Sequence, residues 1–281
     1  MCIRSAISGI LAASVLACGP LSAAVPAANE SQQVVLAGTS QTDFVSEITG
    51  RTYRIYLAVP EAPPPPTGYP VMFVTDGDIN FMPAVIQSRL QRSEGIPAAV
   101  VVGVGYPEGS GPAADRLNRR NLDFTLPTAP GHVPPGLKAA WENKLTGFGD
   151  AEAFFRVVTE EVRPLVSARA QLDPARQALF GHSLGGLFTV GALRNHHYAF
   201  AAYIASSPSL WWNGNQAIKP SLLQGIPSKG RLLVTVGALE QSAQGVLLPP
   251  GPQREITRLG NSPAFSNRAM CCGEYRTSSL S

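Results

Sequence analysis

The sequence predicts an α/β fold: a mainly parallel, twisted sheet with helices on both faces. Three observations carry this expectation. Val71-Met72-Phe73-Val74 and Ala98 to Val104 are continuous apolar runs, as in strands covered on both faces. Segments with helical spacing separate such runs, so strands alternate with helices. Gly181-His182-Ser183-Leu184-Gly185 matches G-x-S-x-G, a sharp strand-to-helix turn that holds a serine hydroxyl up and exposed.

Taken in order, the chain opens on a targeting segment. Arg4 supplies a positive start, Ile7 to Leu16 a short apolar run, and Leu21-Ser22-Ala23-Ala24 small residues for cleavage. Residues 1–24 therefore read as a secretory signal peptide, the run being too short to span a bilayer. Cys18 after Val15-Leu16-Ala17 leaves a lipoprotein box as the alternative. The expected location is periplasmic or secreted, with no stable membrane span, and residues 25–281 are expected to form a single domain.

Residues 25–33 read as a leader without structure. Val34 to Leu36, Phe44 to Ile48 and Thr52 to Val59 read as strands, with Ile48-Thr49-Gly50-Arg51 turning the last two into a hairpin. Tyr53, Ile55, Leu57 and Val59 alternate, as in an antiparallel edge. Pro63 to Pro66 cannot join a ladder. The strand Val71 to Val74 ends at Thr75-Asp76-Gly77-Asp78, and Phe81 to Leu90 reads as a helix. Residues 107–148, rich in Gly, Pro and Arg, read as one long irregular loop.

Asp150 is placed to cap the next helix, with Glu152 in its first turn. Phe154, Val158, Val162 and Leu165 recur at helical spacing, and Pro164 interrupts the pattern. Gln177 to Phe180 is a short strand into the serine turn, and Leu184 to Leu193 the helix out of it. Ala201 to Ala205 and Leu232 to Val236 are further strands.

The chain has 281 residues, 44% hydrophobic and 15% charged, enough for a sizeable core. A net charge of +3 without a basic stripe argues against nucleic acid as a partner. Two of the four cysteines, Cys2 and Cys18, leave with the leader. Cys271 and Cys272 are adjacent, where a disulfide would be strained, so none is expected. No metal-ligand spacing is visible, and no metal or cofactor is expected.

Four segments carry a family resemblance. They are residues 69–77 (Tyr69-Pro70-Val71 through Thr75-Asp76-Gly77), Asn121-Leu122-Asp123-Phe124-Thr125, residues 178–188 around Ser183, and Ala205-Ser206-Ser207-Pro208-Ser209-Leu210-Trp211-Trp212. From about Thr52 to Gln241 the chain resembles the esterase D-like branch of the α/β hydrolases. Within it, the chain most resembles periplasmic serine esterases that open trilactone siderophores such as enterobactin. The tryptophan segment is the most family-specific match. The resemblance implies an α/β-hydrolase fold and a small-molecule ester or lactone as partner, with an iron-siderophore among the candidates.

The chemistry then assigns roles. Ser183 is the expected nucleophile, forming an acyl-enzyme that water hydrolyses. Each step develops an oxyanion, which backbone N–H groups must meet in advance. Leu184 N–H is one expected donor. The second is expected at Gly77 or Asp78, after the Val71 to Val74 strand, although Asp-Gly also makes plain turns. Trp211 and Trp212 either stack on an aromatic acyl or catechol group or pack in the core. Arg116, Arg119 and Arg120 read as solvated loop cations, with attraction of an anionic substrate as the alternative. His182 reads as a packed residue beside the site, not the base.

One part of the pattern is missing. The order serine, acid, histidine is expected, and Glu240 stands where an acid belongs, though it also fits an exposed loop carboxylate. The four histidines are His132, His182, His196 and His197, and none follows. Residues 242–281, rich in Pro, Ser and Gly, read as an atypical tail replacing an altered or incomplete end of the fold. The alternative function is therefore a hydrolase-like protein without the triad histidine and with impaired or no catalysis.

Overall fold

The computed structural model describes residues 35–107, 113–127, 147–215 and 231–237. The signal segment, all four cysteines, His132, Glu240 and the tail at 242–281 lie outside the described residues.

The described strands form one seven-stranded sheet in the order β1-β2-β4-β3-β5-β6-β7. They are β1 (Thr39–Val45), β2 (Thr52–Ala58), β3 (Tyr69–Thr75), β4 (Val100–Gly105), β5 (Leu172–His182), β6 (Ala202–Ser206) and β7 (Arg231–Thr235). β1 and β2 form the expected antiparallel hairpin edge, Thr39 facing Ala58 and Val45 facing Thr52. β2 also runs antiparallel to β4. The pairs β3–β4, β3–β5, β5–β6 and β6–β7 are all parallel. The carboxyl ends of five neighbouring strands therefore open on one edge, where ligands bind in such sheets.

Local chemistry explains the pattern. Tyr53, Ile55 and Leu57 alternate inward along β2, and every residue of β4 is buried. The helix α1 (Gly77–Leu90) follows β3 directly and crosses β4 closely. A Cβ on Gly103 would stand 2.9 Å from Phe81 Cβ and 3.0 Å from Gly77 Cα, so only glycine lets this helix settle.

The long stretch expected to be irregular contains a helix, α2 (Ala113–Phe124). Asn121, Asp123 and Thr125 at its end are buried. Residues 35 and 36 are not in a strand, and the first strand begins at Thr39. Asp150 stands at the start of α3 (Ala151–Arg156) but makes no side-chain cap there. Its carboxylate instead accepts from Arg51 at 2.6 Å.

A π-helical segment, Val157–Val162, joins α3 to α4 (Arg163–Ser167). The wider turn lies just before Pro164, which has no N–H to give the ladder. It also shifts the buried face: Val166 is buried where Leu165 was expected, and Leu165 is exposed. Glu161 in this segment accepts from Ser46 Oγ (2.6 Å) and Glu47 N–H (2.7 Å), tying the first hairpin to the helix.

Candidate active site

β5 ends at His182 and the helix α5 (Leu184–His196) begins at Leu184, leaving Ser183 as the corner. Its φ of 58° and ψ of −118° are a conformation that side chains rarely adopt. The corner is latched by backbone. Ser183 N–H donates to Ser206 O, and Ser183 O accepts from Leu187 and Ser209 N–H, each at 3.0 Å. A Cβ on Gly181 would lie 2.0 Å from Gly185 O, and one on Gly185 2.4 Å from Thr75 Oγ1. The two glycines of the motif are there because strand, helix and neighbouring strand pass too close for any side chain. Ser183 is half-buried, and its hydroxyl lies 3.3 Å from Ser209 Oγ.

Strain gathers along the same edge. Asp76 (φ 50°), Ser183 (φ 58°) and Ser207 (φ 41°) are non-glycine residues in the left-handed region. Each is the first residue after its strand: β3, β5 and β6, three neighbours in the sheet. Backbone held in such conformations clusters at functional sites, because the surroundings must over-determine it.

Gly77 and Leu184 are the first residues of α1 and α5, and Asp78 the second of α1. The first N–H groups of a helix have no acceptor four residues back, so they face outward along the axis. β3 and β5 pair in parallel, which sets both helix starts on one edge. They are close: Asp76 Oδ2 lies 3.6 Å from a Cβ built on Gly185. Helix N-termini placed this way favour an anion or a developing oxyanion.

Asp76 is buried, and Arg120 Nε donates to its Oδ1 at 2.8 Å. Arg119 donates to Thr52 O and lies over the Tyr106 ring at 5.0 Å. Both arginines were expected to be solvated. They are packed instead, because α2 presents them to β2 and to the β3–α1 corner.

Sequence reasoning also missed Asp123, which is 0% exposed. It accepts from Arg51 (2.8 Å), Tyr53 Oη (3.2 Å) and Tyr106 Oη (2.9 Å). Burial pushes its carboxyl up to about 6, while the Arg51 charge and the two tyrosyl hydroxyls pull it down. Burial, and then the Asp123 charge, raise both tyrosines above their ordinary value. The signal was the Asn121-Leu122-Asp123-Phe124-Thr125 segment, one of the four that carry the family resemblance.

The histidines sit elsewhere. His182 is exposed, not packed as expected, since β5 turns its side chain outward at the corner. His196 stacks on Phe155 at 3.9 Å and meets Glu152 at 2.9 Å. It lies thirteen residues beyond Ser183, about 20 Å along α5. His197 packs on Tyr198 at 3.8 Å. Among the described residues, no imidazole is hydrogen-bonded to Ser183. Trp212 is 3% exposed and packs on Phe148 at 5.1 Å, whereas Trp211 is half-buried beside it. Of the two, Trp211 is the more exposed, although it too packs against the core.

Comparison with known proteins agrees with this fold. Residues 46–247 match the family model "Putative esterase". The chain is 37% identical over 221 residues to the ferri-bacillibactin esterase BesA of Bacillus subtilis, covering 75% of this chain and 74% of that protein. The crystal structure of the BES protein from Bacillus cereus superposes with a TM-score of 0.62 at 33% identity, covering 76% of this chain and 79% of that one. The siderophore hydrolase EstB from Aspergillus nidulans gives a TM-score of 0.63 at 28% identity, covering 81% and 79%.

Proposed function

The chain belongs to this esterase family, and from that premise we propose that it is a serine hydrolase cleaving a carboxylic ester or lactone through an acyl-enzyme. The observation that carries the reading is the strained corner at Ser183, with a half-buried hydroxyl between the starts of two helices. Ser183 Oγ attacks the carbonyl carbon and its proton leaves to a base. The carbonyl oxygen gains the negative charge, which Leu184 N–H and an N–H of Gly77 or Asp78 receive. Collapse expels the alcohol and leaves the acyl group on Ser183, and water repeats the sequence to release the acid.

The substrate reading is a siderophore trilactone, because the relatives carry siderophore names and Trp211 can stack on a catechol ring. Glu240 keeps its reading as the acid of the triad. The reading of residues 1–24 as a secretory leader supports work in the periplasm or outside the cell.

A second reading follows from the histidines. The chain has none after His197, and none of the described ones reaches Ser183. Without a base, a serine at neutral pH is a poor nucleophile, and loss of one member of such a set costs on the order of a millionfold. One experiment separates the two. The hydrolase reading expects a fluorophosphonate probe to label the parent and not Ser183→Ala, and a trilactone to be opened by the parent alone. A parent that takes no label and opens no ester is the catalytically impaired relative.

A further inference from the structure

We propose that Ser209 is a positioning residue for Ser183, its hydroxyl holding the Ser183 hydroxyl in the rotamer from which attack occurs. This rests on the reading of Ser183 as the nucleophile.

The geometry is local and tightly braced. Ser209 is 5% exposed, and its Oγ stands 3.3 Å from Ser183 Oγ, with either hydroxyl able to donate. Buried hydroxyls normally bond to backbone or to a polar neighbour. Among the described residues, the only hydrogen bond of the Ser209 hydroxyl is to Ser183.

The segment that carries Ser209 is fixed on both sides. Ser207 N–H donates to Thr235 O of β7 at 2.6 Å, and Ser209 N–H donates to Ser183 O at 3.0 Å. Trp212 N–H returns to Ser209 O at 3.1 Å, and the Trp212 ring is buried against Phe148. Pro208 Cα would stand 2.9 Å from a Cβ on Gly186, so the segment presses directly on the first turn of α5. Ser209 is thus held more rigidly than a loop serine.

Rigidity is what the nucleophile lacks by itself. A serine hydroxyl samples three staggered χ1 wells, and a fixed rotamer holds the oxygen ready to add to a carbonyl carbon. A hydroxyl is both donor and acceptor. Ser209 can donate to Ser183 Oγ, which fixes that oxygen and leaves the Ser183 proton free to pass to the base. No covalent bond to Ser209 is involved.

The experiment compares the parent, Ser209→Ala, Ser209→Thr and Ser183→Ala. The second-order rate of fluorophosphonate labelling is measured, with kcat and KM for an activated aryl ester and the thermal midpoint of each protein. Ser209→Ala is expected to label about tenfold more slowly, the worth of one buried hydrogen bond. Its kcat falls with KM unchanged and its midpoint stays near the parent's. Ser209→Thr keeps the hydroxyl and recovers most of the rate. Equal labelling of parent and Ser209→Ala overturns the proposal and leaves the nucleophile standing. So does a loss in Ser209→Ala that tracks a lowered midpoint and that Ser209→Thr fails to restore. A parent that labels no better than Ser183→Ala overturns the nucleophile reading, and this proposal with it.

Discussion

Arg120 and Asp76 join across 44 residues of chain at a buried corner, and the bond defines what each does. The Asp76 carboxylate is 3% exposed and the Arg120 side chain 16%. Removing one partner of a buried pair exposes the other to the cost of its burial, a larger effect than losing the attraction itself. Arg120→Met is therefore expected to cost on the order of 3 kcal/mol, read as a lower urea midpoint at unchanged slope. Asp76 immediately precedes the Gly77 and Asp78 amides, so ester turnover should fall in the same variant. A variant as stable as the parent would show that the pair adds nothing at this corner. Little of this was legible in the sequence, where arginines on a Gly- and Pro-rich stretch look like surface cations. Ser183 was legible, because the motif around it is contiguous. Trp212 and Trp211 were not separable, since burial against Phe148 depends on a residue 64 positions away.

At the scale of the element, α5 makes a sharp internal comparison. Residues Leu184 to Leu193 are buried throughout, so the helix has no free face in its first three turns. Gly185 is pressed against Thr75, whereas a Cβ on Gly191 would meet nothing within 4 Å. Gly185→Ala should disrupt the corner and lower both stability and labelling. Gly191→Ala should raise stability by up to about 1 kcal/mol through helix propensity alone. Thermal unfolding of the two variants checks this, and a destabilised Gly191→Ala would contradict the packing described. The helix α2 shows why some elements hide. Its residues Ala113–Phe124 are amphipathic, but they lie inside a Gly- and Pro-rich stretch whose composition reads as a loop and masks that pattern. It is held by Arg120 and Asp123, whose partners lie far off in sequence. The π segment Val157–Val162 hides for a different reason: one widened turn moves the buried face from Leu165 to Val166.

Across the whole molecule, the Asp123 cluster ties together the turn before β2, the residue after β4, the end of α2 and the start of α3. Its carboxyl is raised from 3.8 to about 6, so the folded protein keeps a proton that the unfolded chain releases between those values. The stability from this group is full below about pH 4 and is lost as pH rises through about 6. The difference in unfolding free energy between the parent and Asp123→Asn should therefore shrink from pH 4 to 7. A shift of two units makes this up to about 3 kcal/mol, measured by urea unfolding at each pH. A difference independent of pH would refute the raised value. Alone, the sequence determined the alternation of strands and helices from β2 to β7 apart from α2, the antiparallel first hairpin and the serine corner. Those depend on apolar runs and glycine spacings within a few residues of one another. The tertiary structure alone decided which hydroxyl faces Ser183, which arginine braces the β3–α1 corner and which tryptophan is fully buried. Each of those rests on a partner tens of residues away, brought near only when parallel strands align their carboxyl ends.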